Sequence, residues 1–254
     1  MTLGQHGSGS LASVGERATT DSAVYITTVG KRRSVQFTDG SELILNTNTS
    51  VRVQAAGLSR VLDLREGEVL VTVTPSSNRR IHLRVGGVEL DTAAAQVHAR
   101  LDRVGSARIE MLSGNGWIKS THAPRFQPLF LRAGHVLRAQ RNTLNVERFD
   151  RVAAERHLAW TRGEVLLRGE TLMEAVAEFN RYNDRQLVIG DGAIASLSIG
   201  GRFDATDLDA FVASLDTLFG IKVRPARTRT DTARIVLVGT HDEGRGRHGS
   251  SVER

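Results

Sequence analysis

The residues best suited to chemistry are the eight histidines, His6, His82, His98, His122, His135, His157, His241 and His248. No two of them fall in H-E-x-x-H or another metal-ligand spacing. His82 and His98 lie inside alternating apolar stretches, where a partly exposed imidazole on a strand face is expected. His241 and His248 sit in a Gly-rich tail. Among the acids, Glu66 and Glu68 flank Gly67 and Asp102 stands apart. Carboxylates on strand faces are ordinarily solvated, and the two opposed carboxyl groups of a glycosidase have no sequence signature. G-x-S-x-G, the P-loop and the Rossmann glycine pattern are missing, and "GSGS" at 7–10 reads as a linker. The chain has no cysteine, which removes disulfides and thiolate metal sites. The expectation is a binding protein, with no catalytic residue, no metal site and no cofactor.

The net charge of +6 raises the question of nucleic acid. The basic residues are scattered singly (Arg52, Arg60, Arg84, Arg108, Arg138, Arg162). No aromatic residues interleave with them as a base-stacking platform would. Solvated faces are the better reading, and no nucleic-acid partner is expected. No stretch reaches the ~20 apolar residues of a membrane helix. The first 23 residues lack the basic and apolar regions of a signal peptide and read as a flexible tail. Residues 240–254 read the same way.

The elements between the tails are of two kinds. From 24 to 150 the text is a run of short period-two segments, among them "RSVQFT", "ELILN", "RVLDL", "EVLVTV", "VELDT", "QVHARL", "ARIEML" and "GWIKS", with glycines between them. This predicts an all-β domain of solenoid or arch-like form. Asp39-Gly40 predicts a type I′ hairpin turn, because both central residues of that turn need positive φ. After Arg151 the period changes. Residues 151–162 read as a linker helix. Thr171 and Glu174 form a capping box before a helix with Leu172, Val176 and Phe179 on one face. A second helix starts near Thr206 or Asp207, buries a stripe of Leu208, Phe211, Val212, Leu215, Leu218 and Phe219, and stops at Gly220. The order over 163–239 is β-α-β-β-α-β-β, a small α+β module. The fold class is mainly β, an all-β domain followed by this module.

Several stretches together resemble the periplasmic part of FecR-type regulators, the anti-sigma factors of cell-surface signalling. They are "YITTVGKRRSVQFTDGSELILNTNTSVRV" from Tyr25, "RVLDLREGEVLVTV", "RRIHLRVGGVELDT" and "LRAGHVL". "AWTRGEVLLRGETLMEAVAEFNRYNDRQLVI" and "SIGGRFDATDLDAFVASLDTLFGIKV" are similar to an STN-type module. The resemblance implies a periplasmic protein that binds the signalling domain of an outer-membrane TonB-dependent transducer. It thereby controls an ECF sigma factor in siderophore-linked iron uptake. Family members typically begin with a cytoplasmic helical segment and a membrane helix, neither of which is in this sequence. The sigma factor would be touched only through that segment. Within the resemblance, Asp39, Gly40, Asn46 and Ser50 read as framework, a turn followed by a polar corner bonding local backbone.

Docking is expected at sheet edges of the module, in 163–169 and 197–203, where a partner strand can add. Gly200-Gly201 would allow a bulge. The candidate partner-binding residues are Trp160, Glu164, Leu166, Arg168, Arg181, Tyr182, Ser198, Arg202 and Phe203, several of them interface hot-spot types. The alternative reading is a cell-wall or carbohydrate-binding β protein without catalysis. It would rest on the two tryptophans, Trp117 and Trp160.

Overall fold

A computed structural model describes residues 22–75, 79–121, 127–140, 143–224 and 234–239. Most of the two tails therefore lies outside the described residues, as do His6, His122, His241 and His248. The chain divides into two compact units. Of the described residues, one comprises those in 22–26, 32–45 and 49–148; the other comprises Thr27–Lys31, Asn46–Asn48 and those in 149–239. Among the described residues no helix is long and apolar enough to cross a membrane.

The first unit is one sheet of β1 (Ser22–Ile26), β2 (Arg33–Gln36), β3 (Glu42–Leu45), β4 (Ser50–Ala56), β5 (Ser59–Val73), β6 (Arg80–Val85), β7 (Val88–Leu101), β8 (Ala107–Ser120), β9 (Leu129–Arg132), β10 (His135–Gln140) and β11 (Thr143–Arg148). The path runs β1-β4-β5-β6-β7-β8-β10-β11, with β3 on β5, β2 on β3 and β9 on β8. All pairs are antiparallel except β5 with β6. Alternation supplies the reason: Leu43, Leu45, Leu62, Leu64, Val69, Val71, Leu83, Leu90, Val97, Ile109 and Met111 form a single buried cluster. Burying a side chain of this size stabilises by about 1.5–3 kcal/mol before chain entropy is counted.

Three strands join segments that read as separate in the sequence. "RVLDL" and "EVLVTV" are one strand, β5, and the same holds in β7 and β8. In β5 and β8 a glycine bends the strand without ending it. Gly67 (φ 92°) and Gly114 (φ 77°) lie inside β5 and β8 in the left-handed region. The ladder slips close to each, between Ser50 and Val51 beside Gly67 and between Thr92 and Ala95 opposite Gly114. Each half then finds different neighbours: residues 59–64 of β5 pair with β4 and β6, and 67–73 with β7. A Cβ on Gly114 would stand 2.1 Å from the Ala94 carbonyl oxygen. Gly114→Val is accordingly expected to destabilise this unit by upward of about 3 kcal/mol. Urea unfolding followed by far-UV circular dichroism checks it.

The Asp39-Gly40 turn differs from the sequence expectation. Only Gly40 has positive φ. The Gly40 N–H bonds the Phe37 carbonyl and the Phe37 N–H bonds Ser41, a longer turn with a glycine bulge. Asp39 accepts from the Ser41 N–H at 3.0 Å and pairs with Arg60 at 3.1 Å. Burial pushes this carboxyl up, but the Ser41 N–H and the Arg60 charge outweigh it and hold it below the usual range.

The second unit contains α1 (Arg151–Leu158), a 3-10 turn (Ala159–Arg162), β12 (Glu164–Thr171), α2 (Leu172–Phe179), β13 (Gln186–Ile189), β14 (Ser198–Asp204), α3 (Leu208–Phe219), β15 (Lys222–Arg224) and β16 (Arg234–Val238). β12 and β14 make a two-stranded antiparallel sheet, and β13-β16-β15 a three-stranded one with β13 parallel to β16. The Thr171–Glu174 capping box is formed at both of its bonds. Leu172, Ala175, Val176 and Phe179 are buried along α2. In α3 the buried stripe is Leu208, Phe211 and Leu215, while Leu218 and Phe219 are 68% and 39% exposed, against expectation. The helix closes at Gly220 (φ 66°), and the chain turns so that Ile221 is buried instead.

Candidate partner-binding site

The nine candidate residues separate into two groups by burial. Trp160, Leu166 and Tyr182 are interior, at 3%, 8% and 4% exposure. Phe203 is half-buried and packs edge-on against Phe179 and Phe211. These four are packing residues of the unit. Arg168, Ser198 and Arg202 are exposed, and Glu164 is partly so.

Three of the polar candidates come together on β12 and β14. Glu164 accepts from Arg162 at 3.0 Å and from Arg202 at 2.5 Å. Glu155 on α1 reaches Arg202 at 3.5 Å and Arg168 at 2.6 Å. Desolvation nudges the Glu164 carboxyl up, but its bonds to Arg162 and Arg202 outweigh this and hold it below the usual carboxylate range. Exposed ion pairs of this kind contribute about 0–1 kcal/mol each to stability. The network is therefore weakly committed to the fold and presents both signs of charge beside a sheet. Among the described residues, β12 and β14 pair only with each other, so each has one edge outside the ladder. The bulge falls on β12, at Gly169 (φ 112°), and not at Gly200-Gly201. A bulge blunts an edge, whereas Gly200 on β14 has open space where a side chain would stand.

Arg181 belongs elsewhere in the same unit. It pairs with Glu178 at 2.5 Å and lies over the Tyr182 ring. Tyr182 Oη accepts from Asn46 Nδ2 at 2.9 Å, and Thr47 Oγ1 donates to the Arg181 carbonyl at 3.0 Å. Asn46 and Thr47, themselves part of the second unit, thus bond its side chains and backbone as well as local backbone. Tyr182→Phe leaves the buried Asn46 amide without this acceptor. A loss of about 1–3 kcal/mol is expected, measured by chemical denaturation.

The sequence reading missed a buried ionic cluster in the first unit. His98 is 1% exposed, not partly exposed, and Glu68 and Glu110 are 3% and 0% exposed. His98 Nε2 lies 2.7 Å from Glu68 Oε1 and Nδ1 lies 3.0 Å from Glu110 Oε2. Arg108 Nε donates to Glu110 Oε1 at 2.6 Å. Burial pushes the imidazole down, but its bonds to Glu110 and Glu68 and their charges overcome this and raise it to about 9. The His98 and Arg108 cations face the two carboxylates, and this pairing lets the charges be buried.

Comparison with known proteins identifies the part of the first unit that runs from β1 into β8. Residues 23–115 match the FecR protein family. They form a FecR domain. The match runs from β1 to Asn115, just past the Gly114 bend of β8, and includes the polar corner and the His98 cluster. Beyond the FecR domain the likeness is one of fold. Two crystal structures of a putative anti-sigma factor from Parabacteroides distasonis ATCC 8503, at 1.65 and 2.50 Å resolution, superpose with a TM-score of 0.65. They are 16% identical to this chain and cover 86% of it and 99% of their own length. No curated protein matches the chain in sequence.

Proposed function

We propose that this chain is the periplasmic relay of a FecR-type anti-sigma regulator and acts by binding, without catalysis. Its second unit, an STN-like module, docks the signalling domain of an outer-membrane TonB-dependent transducer. The state of that transducer, set by a ferric siderophore or similar cargo, is passed toward an ECF sigma factor through a segment outside this sequence. The observation that carries the reading is the FecR domain, joined in one chain to an α+β unit with half-paired strands. The fold likeness to an anti-sigma factor over nearly its whole length supports it.

The docking element is β14. A partner strand added along Ser198–Asp204 gains main-chain hydrogen bonds, and the absent side chains at Gly200 and Gly201 allow close approach. Arg202, Glu164 and Arg168 then select partner and register by charge. Calorimetric titration of the chain with transducer signalling domains from the same genome tests this. One of them is expected to bind, more weakly at higher salt, and Arg202→Glu is expected to weaken it at least ~10-fold, about 1.4 kcal/mol. Failure of every signalling domain to bind would overturn the reading. Binding that ignores Arg202→Glu would move the interface off β14.

A further inference from the structure

The outer face of the FecR-domain sheet carries a second feature, independent of the docking site. Cross-strand register places Arg52, Asp63, Arg84, Glu89 and Lys119 side by side on five successive strands. Opposite charges in directly facing positions stabilise one another. The adjacent row runs His82, Asp91, Trp117, Phe130 and ends on β9. There the surface changes character. Trp117 is 48% exposed and Phe130 41%, and their rings stand 4.9 Å apart at 56°. Arg132 lies over the Phe130 ring at 5.5 Å. A cleft of about 420 Å³ opens beside them, lined by Asp91, Trp117, Lys119, Gln127 and Pro128.

We propose that this cleft binds a saccharide, with one neutral sugar ring laid on the Trp117 indole. Trp117 packs directly on Phe130, which holds the indole in place and leaves its exposed part toward the cleft. The polarised C–H bonds of a sugar meet the negative face of an aromatic ring favourably. The rim supplies what hydroxyls need: Asp91 accepts, and Lys119 and Gln127 donate. Asp91 is held in place by Arg80 at 2.9 Å, so it need not reorganise to receive a ligand. Charge narrows the choice of ligand. A polyanion would face Asp91 with Glu89 behind it, and a cation would face Lys119 and Arg132. A neutral polyol meets no such opposition. The volume lies within the roughly 300–1,000 Å³ of small-molecule sites.

The chain holds two tryptophans, so a ¹⁵N spectrum of the full protein gives two indole N–H signals, assigned by comparison with Trp117→Phe. Neutral disaccharides (chitobiose, cellobiose and maltose) are titrated to ~50 mM, well above the millimolar Kd of a weak, roughly −4 kcal/mol, contact. The Trp117 signal is expected to shift and saturate with at least one of them while the Trp160 signal stays still. Asp91→Ala, checked for an unchanged melting temperature, is expected to weaken that sugar at least ~5-fold, about 1 kcal/mol. No saturable shift with any sugar overturns the proposal, as does binding indifferent to Asp91→Ala. A Trp117 shift produced only by a transducer signalling domain would make the cleft a protein contact and overturn it equally.

Discussion

Replacing Phe211 by alanine is expected to destabilise the second unit by about 3–5 kcal/mol. Phe211 and Phe179 are both fully buried and stacked 3.9 Å apart at 15°, with Phe203 edge-on to each. The three rings join α2, α3 and β14 into one interior, and aromatic pairs add about 0.5–1.5 kcal/mol beyond the area they bury. Truncation removes one ring from the stack and leaves a cavity against two rings held by separate elements. Buried Trp160, in the same unit, reports the loss through its fluorescence during urea unfolding. The Trp160 transition is expected at markedly lower urea in Phe211→Ala. An unchanged midpoint would mean that the ring cluster does not hold the unit together.

The second large effect concerns His98. His98→Ala leaves Glu68 and Glu110 buried around a vacated cation, and breaking a buried pair in this way costs about 3–5 kcal/mol. The same cluster makes stability depend on pH. The folded imidazole keeps its proton to about 9, whereas an unfolded histidine releases it near 6.5. Below about 6.5 both states are protonated and the contribution is fully present. Between 6.5 and 9 only the folded state holds the proton, so stability falls as pH rises, by about 3 kcal/mol across the window. Denaturation midpoints measured from pH 6 to 9.5 are expected to decline in the wild type. The decline should be much smaller in His98→Gln. A histidine proton resonance titrating below pH 7 and assigned to His98 would contradict the cluster as described.

Local signals proved legible. The Thr171–Glu174 box and the Gly220 stop each depend on residues within one or two helical turns. The α2 stripe follows from its own 3.6 period. Signals whose meaning depends on distant partners were not legible. A glycine between two alternating segments reads as a turn, yet Gly67 and Gly114 bend one strand, because neighbouring strands continue the ladder on both sides. Alternation places His98 on the face opposite Val97 and Ala99 but says nothing of whether that face is covered. Its partners stand 30 and 12 residues away in sequence. Trp160 and Tyr182 illustrate the same limit at the candidate site. Large amphipathic rings suit interfaces and interiors alike, and here the interior holds them. Arg168 and Arg202 are exposed on the paired strands β12 and β14, an arrangement that the two edge segments implied.

The central claim is that β14 receives a strand from a transducer's signalling domain. Amide hydrogen exchange on the full chain, with and without a saturating amount of the bound signalling domain, addresses it most directly. Slowed exchange is expected in peptides spanning Ser198–Asp204, with the Glu164–Thr171 peptides affected less and those of β5 to β8 unchanged. Protection confined to the FecR domain, with β14 exchanging as in the free chain, would contradict it.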